Sequence, residues 1–293
     1  MSTPRSSRCP FLASFATILV LLSACQPAAL TASPQPTQPP AQPSATPVIL
    51  VTQPPAQPTA TPVTVATQIP TQPSGGAPAD ITLDYSAVAQ NVTVETVPAQ
   101  PASAGGPYWE AGPEYRRLTL QGYPVANHLH KPQIFIYPTG DLASANENAG
   151  KMVTELQALL QTQQAGEQLP FLPLFNAAQV MHAQVRYLDF KNGKGVRFLT
   201  QFDQAPLPIN NYELFYTFQG LTSDGKYYIG AVLPVTNPEL PANSEVSEER
   251  AEAVNDFPTY ISGVVALLNQ QPAESFTPDL SKLDALVGSI EVK

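Results

Sequence analysis

The sequence predicts an α+β domain, an antiparallel β-sheet built from hairpins with helices packed against it. Three observations carry that reading. Two hairpin-shaped stretches follow one another, turning at Asn192-Gly193 and at Ser223-Asp224-Gly225-Lys226. Shorter strand-like pieces come before them, with one amphipathic helix in between. Two more helical patterns close the chain. Strands and helices in runs, rather than in strict alternation, are the mark of this class.

In order, Ile81–Tyr85 and Val92–Val97 read as short strands whose sequence names no partner. A loop rich in Ala, Gly and Pro follows from Pro98 to Pro113 and holds the chain's one tryptophan, Trp109. Trp109 and its neighbour Tyr108 are either a plug packing the loop onto the domain or an aromatic platform for a ligand. Tyr115–Tyr123 alternates with period 2, Leu118 and Leu120 on one face, and Gln133–Tyr137 is a further strand. The loop between them carries His128 and His130. Two imidazoles at that spacing fit a zinc site only with a third protein ligand, and the remaining histidine is His182. Solvent-facing loop histidines are the expectation, and no metal.

Ser144-x-x-Glu147 has the form of a capping box. Ala149, Met152, Val153, Leu156, Leu159 and Leu160 then form one apolar helical stripe. The connection Leu169–Phe175 is apolar enough to predict burial against the core, or a partner-binding patch if exposed. In the first hairpin, a two-residue Asn192-Gly193 turn fixes a register that sets Ala183, Val185 and Tyr187 opposite Phe202, Thr200 and Phe198. It also sets His182 opposite Asp203. The second hairpin, Tyr212–Gln219 and Tyr227–Val235, is apolar on both faces and needs cover on both. An acidic helix start near Ser244 or Ser247, with Glu248, Glu249 and Glu252 on a solvated face, meets Pro258, where a kink or restart is expected. The stripe from Tyr260 to Leu268 follows. Thr277-Pro278 reads as an N-cap with proline at the first helical position, opening a last helix on Leu280, Leu283, Leu286 and Val287. At the level of architecture this order is similar to the PsbP-like sandwich, although no residue motif carries the likeness, and fold alone implies no activity.

Ahead of the domain, Arg5 and Arg8 precede an uncharged apolar run, Phe11 to Leu22, which leads into Leu22-Ser23-Ala24-Cys25. That run is too short for the roughly 20 residues a spanning helix needs and suits a signal-peptide core. All four positions around the cysteine resemble the lipobox of bacterial lipoprotein signal peptides. The resemblance covers the first 25 residues. It implies that residues 1–24 are cut away and that Cys25 bears the lipid that anchors the chain in a membrane, on the extracytoplasmic face of the cell membrane or outer envelope. An ordinary cleaved signal peptide and a spanning anchor are the other readings.

Residues 26–79 hold 14 prolines and no charge. Thr37–Val48 recurs as Thr52–Val63, changed only at Ser44/Thr59, and a degenerate third copy begins near Thr67. Such units have few large apolar groups to bury, which predicts a disordered, polyproline II-biased tether and a domain over 80–293. Past residue 24 the chain has 12 basic and 23 acidic residues, a net charge of −11. That argues against nucleic acid and against electrostatic docking on anionic lipid. Cys9 leaves with the signal and Cys25 carries lipid, so no disulfide and no catalytic thiol remain.

The motifs of serine and cysteine hydrolases, zinc proteases and phosphate-binding loops are absent, and no cofactor is implied. The predicted His182–Asp203 pair is the one acid–base contact the pattern yields. The expectation is therefore a non-catalytic domain that binds an envelope protein or a small ligand, with Phe171, Phe175, Tyr212, Tyr216, Tyr227 and Tyr228 as its contact surface. A structural or assembly role is the alternative, followed by a hydrolase using His182 and Asp203 or a carboxylate pair.

Overall fold

A computed structural model describes Pro78, residues 80–245 and residues 255–293. The lipobox, the repeats and the acidic stretch with Glu248, Glu249 and Glu252 lie outside the described residues.

The fold is α+β, as the sequence predicts. Seven antiparallel strands form one sheet: β2 (Asn91–Val97), β3 (Tyr115–Gln121), β4 (Gln133–Pro138), β5 (Ala178–Phe190), β6 (Gly193–Asp203), β7 (Phe215–Thr222) and β8 (Tyr227–Pro234). Their spatial order is β2-β3-β4-β8-β7-β6-β5. The two early strand-like pieces gain partners at long range. β2 pairs with β3, while β1 (Ile81–Thr82) pairs with β9 (Glu291–Val292) at the far end of the chain.

Every residue of β7 is buried, so both sheet faces carry cover. On one face lie α1 (Thr139–Ala145), α2 (Glu147–Thr162) and the Leu169–Phe175 connection. The expected stripe of α2 is the part that packs, Leu156 being fully buried. The connection is clamped by one side chain. Gln219 Oε1 accepts from Leu172 N–H at 2.9 Å, and Gln219 Nε2 donates to Leu172 O at 3.1 Å. Gly230 beneath it has no room for a Cβ, which would stand 2.4 Å from Leu172 O. On the other face lie α3 (Phe257–Gln270) and α4 (Leu280–Gly288). No helix among the described residues is long and apolar enough to cross a membrane.

Three local expectations need correction. The α2 cap is Asn146, not Ser144: the Asn146 side chain accepts from Asn148 N–H and Ala149 N–H. Thr277-Pro278 does not open α4. Thr277 makes a bridge with Thr236, and Asp279 caps the helix by accepting from Ser281 N–H. The first hairpin turns one residue earlier than Asn192-Gly193, with Gly193 opposite Phe190. Neither Asn192 nor Gly193 takes a positive φ, and the Asn192 side-chain amide donates to Val292 O (2.6 Å) and accepts from Val292 N–H (3.2 Å). Register shifts in β5, between Gln179 and Met181 and between Ala183 and Arg186, move the pairing further. His182 therefore faces Thr200, and Asp203 faces Ala178. The predicted His182–Asp203 contact does not form. Pro258, by contrast, sits in the first turn of α3, which starts near Asp256 as expected, with the Asp256 side chain accepting from Thr259 N–H.

Arg197 is the buried cation of the sheet. Its Nε lies 3.2 Å from Asp284 Oδ1 on α4, off the hydrogen-bond axis, and its Nη1 donates to Gln184 O. Asp284 also accepts from Tyr216 Oη at 3.1 Å and pairs with Arg186 at 3.3 Å. One carboxylate thus ties α4 to three side chains of the sheet.

Candidate functional site

The tyrosines expected to form a binding surface divide in the structure. Tyr216 and Tyr228 are fully buried. The Tyr216 hydroxyl bonds to Asp284 and that of Tyr228 donates to Gln219 Oε1 at 2.6 Å, so both are core residues with satisfied polar ends. Phe171 is buried as well, packed against Phe175, Phe202 and Phe215. Phe175 and Tyr227 are half-buried, and only Tyr212 is exposed. These six residues do not form one surface. The mistake is physical: a tyrosine on a strand buries its ring as readily as it displays it, and its hydroxyl partner here comes from another element.

The histidines are not solvent-facing. His128 Nε2 donates to Leu214 O (2.9 Å), while its Nδ1 accepts from His130 N–H (3.0 Å), an arrangement that fixes a neutral ring. The His130 ring stacks on Phe175 with centroids 5.1 Å apart and meets Phe215 edge-on. Burial lowers its pKa to about 4, with His128 adding to the effect. Among the described residues, no group of three or more His, Cys, Asp or Glu side chains is placed to hold a metal.

Asp203 finds a different partner from the one its strand predicts. Gln201 Nε2 donates to Asp203 Oδ2 (2.8 Å) and to Glu213 Oε2 (3.0 Å), while Gln201 Oε1 accepts from Asn210 N–H (3.0 Å). Asn210 Nδ2 also donates to Glu213 Oε2, at 2.9 Å. Two carboxylates therefore share one amide donor. Burial pushes Asp203 up to about 6, against the Gln201 hydrogen bond, and the nearby Glu213 charge adds to the rise. A carboxyl that titrates there has the acidity of a general acid or base. Its Oδ2, however, is engaged by Gln201, and it lines none of the clefts described below.

The concave surface with binding chemistry lies at the other end of the sheet, around Trp109. The 98–113 loop doubles back on itself. Gln100 and Gly112 exchange both backbone hydrogen bonds at 2.9 Å, and Gly105, at φ 76°, makes the reversal. Asn146 pins the loop: while its Oδ1 caps α2, its Nδ2 donates to Tyr108 O (2.6 Å) and Ala111 O (3.0 Å). One side chain thus joins helix start and loop. Only an amide has both an acceptor and donors to do so.

On either side of the Trp109–Pro113 segment lies a cleft. The inner one, about 110 Å³, runs between Trp109, Tyr115, Tyr137, Leu142, Ala149 and the Leu172–Leu174 connection. The outer one, about 460 Å³, is lined by Val97, Pro98, Gln100, Trp109, Pro113 and Tyr115, and Glu110 lines both clefts. Tyr115 packs against Tyr137 with ring centroids 4.7 Å apart and planes tilted by 40°, giving the floor an aromatic surface. Tyr108, which lines neither cleft, meets Trp109 edge-on at 5.1 Å and is 51% exposed. Among the described residues, neither the Trp109 indole N–H nor the Tyr108 hydroxyl has a hydrogen-bond partner.

Another cleft of about 450 Å³ lies at the hairpin tips, between Gln157, Asp189, Lys194, Thr222 and Ser223. It has no aromatic wall. The Trp109 site is the stronger candidate, because it joins apolar ring surface to an indole N–H with no partner among the described residues, as ligand sites do. Sequence reasoning saw Trp109 but not the cleft, whose other walls come from β3, β4, α1, α2 and the 172–174 connection.

Comparison with known proteins finds no family model that matches the chain, no similar curated protein and no similar solved structure.

Proposed function

We propose that this chain is a lipid-anchored, extracytoplasmic lipoprotein whose domain binds a ligand, without catalysis, in the cleft at Trp109. One observation carries the binding reading: an aromatic-lined cleft walled by Trp109 and Tyr115, in which the Trp109 indole N–H has no partner among the described residues. Ring faces supply apolar contact at little conformational cost, and the indole donor is available to orient a bound group. The membrane address rests on Leu22-Ser23-Ala24-Cys25, and the charge-free tether supports a role at a distance from the bilayer.

Two measurements test this reading. Mass spectrometry of the mature N-terminus is expected to find Cys25 carrying acyl chains; an unmodified start at any other residue refutes the anchor. A ligand captured from an envelope extract is expected to be lost by Trp109→Ala and kept by Tyr212→Ala. Capture unchanged by Trp109→Ala refutes the site, and no capture by the parent chain favours the structural or assembly role.

The Asp203–Glu213 pair supports a second reading, an envelope hydrolase using two carboxylates. It requires hydrolysis that Asp203→Asn abolishes and whose pH profile has one limb near the Asp203 pKa of about 6.

A further inference from the structure

We propose that β2 joins this chain to a second copy of itself, the two strands pairing antiparallel about a two-fold axis at Val94. The surface is a different one from the Trp109 cleft, and the inference does not rest on the ligand reading.

The backbone of β2 is the first argument. β2 forms one edge of the seven-stranded sheet. In an antiparallel ladder, opposed residues alternate between pairs that exchange backbone hydrogen bonds and pairs that do not. Leu120 N–H donates to Pro132 O, so the even-numbered residues of β3 turn their polar groups toward β4 and the odd-numbered ones toward β2. Asn91, Thr93, Glu95 and Val97 therefore carry the bonds to β3. The N–H and C=O groups of Val92, Val94 and Thr96 point outward, and among the described residues they have no partner.

The two edges of the sheet also differ. The β5 edge is guarded: two register shifts interrupt it, Gln184 takes φ 56°, and Gln184 N–H donates to Asn269 Oδ1 on α3 at 2.6 Å. Such irregularities and covers are how natural edges resist pairing. β2 has an unbroken register, no proline and no lysine. Pro78 bonds one strand further in, its carbonyl accepting from Arg116 Nε at 3.1 Å.

The third argument is self-complementarity. With the axis at Val94, the hydrogen-bonding row sets Val94 against the partner's Val94 and Val92 against the partner's Thr96. Val94 is the middle residue of the strand and, at 53%, the most exposed large hydrophobic side chain among the described residues. On the other sheet face Glu95 meets the partner's Thr93, and its charge is held by Arg117 at 2.7 Å. No like charges are then opposed. An axis at Glu95 would set two carboxylates face to face, and one at Thr93 would leave Thr96 and Val97 beyond the end of the partner strand. The Val94 register also puts the partner's Asn91 beside Val97, a wall of the outer Trp109 cleft.

The experiment uses the chain from residue 25 onward carrying Cys25→Ser, which has no other cysteine. One strand pair is smaller than a standard interface, so sedimentation equilibrium is expected to give a weak dimer, with Kd roughly 0.1–1 mM. Val94→Lys places two like charges on the axis and is expected to weaken it about tenfold. Leu129→Lys, at a side chain 51% exposed on another loop, should leave it unchanged. Single cysteines then read the register. Opposed Cα atoms in a hydrogen-bonded pair stand about 5.5 Å apart, within disulfide range, so Val94→Cys should crosslink with itself under mild oxidation. Val92→Cys and Thr96→Cys, each about 14 Å from its own counterpart, should crosslink efficiently only when mixed. A parent chain that stays monomeric at ~1 mM overturns the inference and leaves the edge to a strand of another protein. So does equal weakening by Val94→Lys and Leu129→Lys, or a mixture of the Val92→Cys and Thr96→Cys chains that crosslinks no faster than either alone.

Discussion

Replacing Asn146 by aspartate separates the two functions of that residue. The carboxylate retains the acceptor that caps α2, and its charge suits the helix N-terminus. What it loses is the Nδ2 donor pair that holds Tyr108 O at 2.6 Å and Ala111 O at 3.0 Å. Two hydrogen bonds at about 1 kcal/mol each put the loss near 2 kcal/mol, before the repulsion of a carboxylate oxygen facing two carbonyls is added. Asn146→Ala removes the cap as well, for a total near 3 kcal/mol. Urea denaturation followed by far-ultraviolet circular dichroism measures the global effect, and acrylamide quenching of Trp109 in native buffer measures the loop. Asn146→Asp is expected to expose Trp109 while α2 keeps its helicity. If Asn146→Asp matches the parent chain in quenching and in stability to within about 0.5 kcal/mol, the loop is held by something other than Asn146 and the account of the site is wrong.

Three further outcomes follow from buried ionisable groups. Asp284→Ala leaves the Arg197 guanidinium, 4% exposed, without its carboxylate, and is expected to cost about 3–5 kcal/mol in urea titrations; Asp284→Asn, which can still bond to Tyr216, should cost less. His130 has its pKa lowered to about 4 by burial. Between its unfolded value and that point the unfolded chain alone takes up the proton, so stability falls as pH drops from about 6.5 to about 4. His130→Phe is expected to flatten that part of a stability–pH curve, and an unchanged slope would show that the ring is solvated. Asp203 has the opposite sign. Its pKa is raised to about 6, so the folded chain holds the proton longer and stability declines as pH rises from about 4 to about 6. Asp203→Asn should therefore gain stability relative to the parent at pH 7.5 but not at pH 4, and an equal difference at both values refutes the shared-donor arrangement.

The parts legible in the sequence were those decided by neighbours in the chain. The apolar faces of β7 and β8 required cover on both sides, and the structure supplies it with α2 on one face and α3 and α4 on the other. The stripe of α2 and the burial of Leu169–Phe175 follow from the same local logic. The misread features each depended on a distant group. Asn192 is a turn residue as read, but at the second turn position instead of the first, with its amide taken by Val292, a hundred positions away. Ser144 reads as the cap by its capping-box pattern, but Asn146 takes that place, with its Nδ2 donors used by the 98–113 loop. Tyr216 and Tyr228 read as display residues because nothing local announces Asp284 or Gln219. Asp203 and Glu213 meet only because Gln201 and Asn210 bring the 204–212 turn back over the end of β6.

The clamp of Pro78 by Arg116 also determines where mechanical load would travel. Under the anchoring at Cys25 proposed above, tension enters the domain at Pro78, whose carbonyl is held by Arg116 with Thr96 beside it. The same chain runs on through Asp80, whose carbonyl accepts from Lys293 N–H at 3.0 Å, into β1 and its partner β9. The load therefore divides between the β2–β3 ribbon and the short sheet that joins the two ends of the domain, and the central strands of the large sheet lie off both routes.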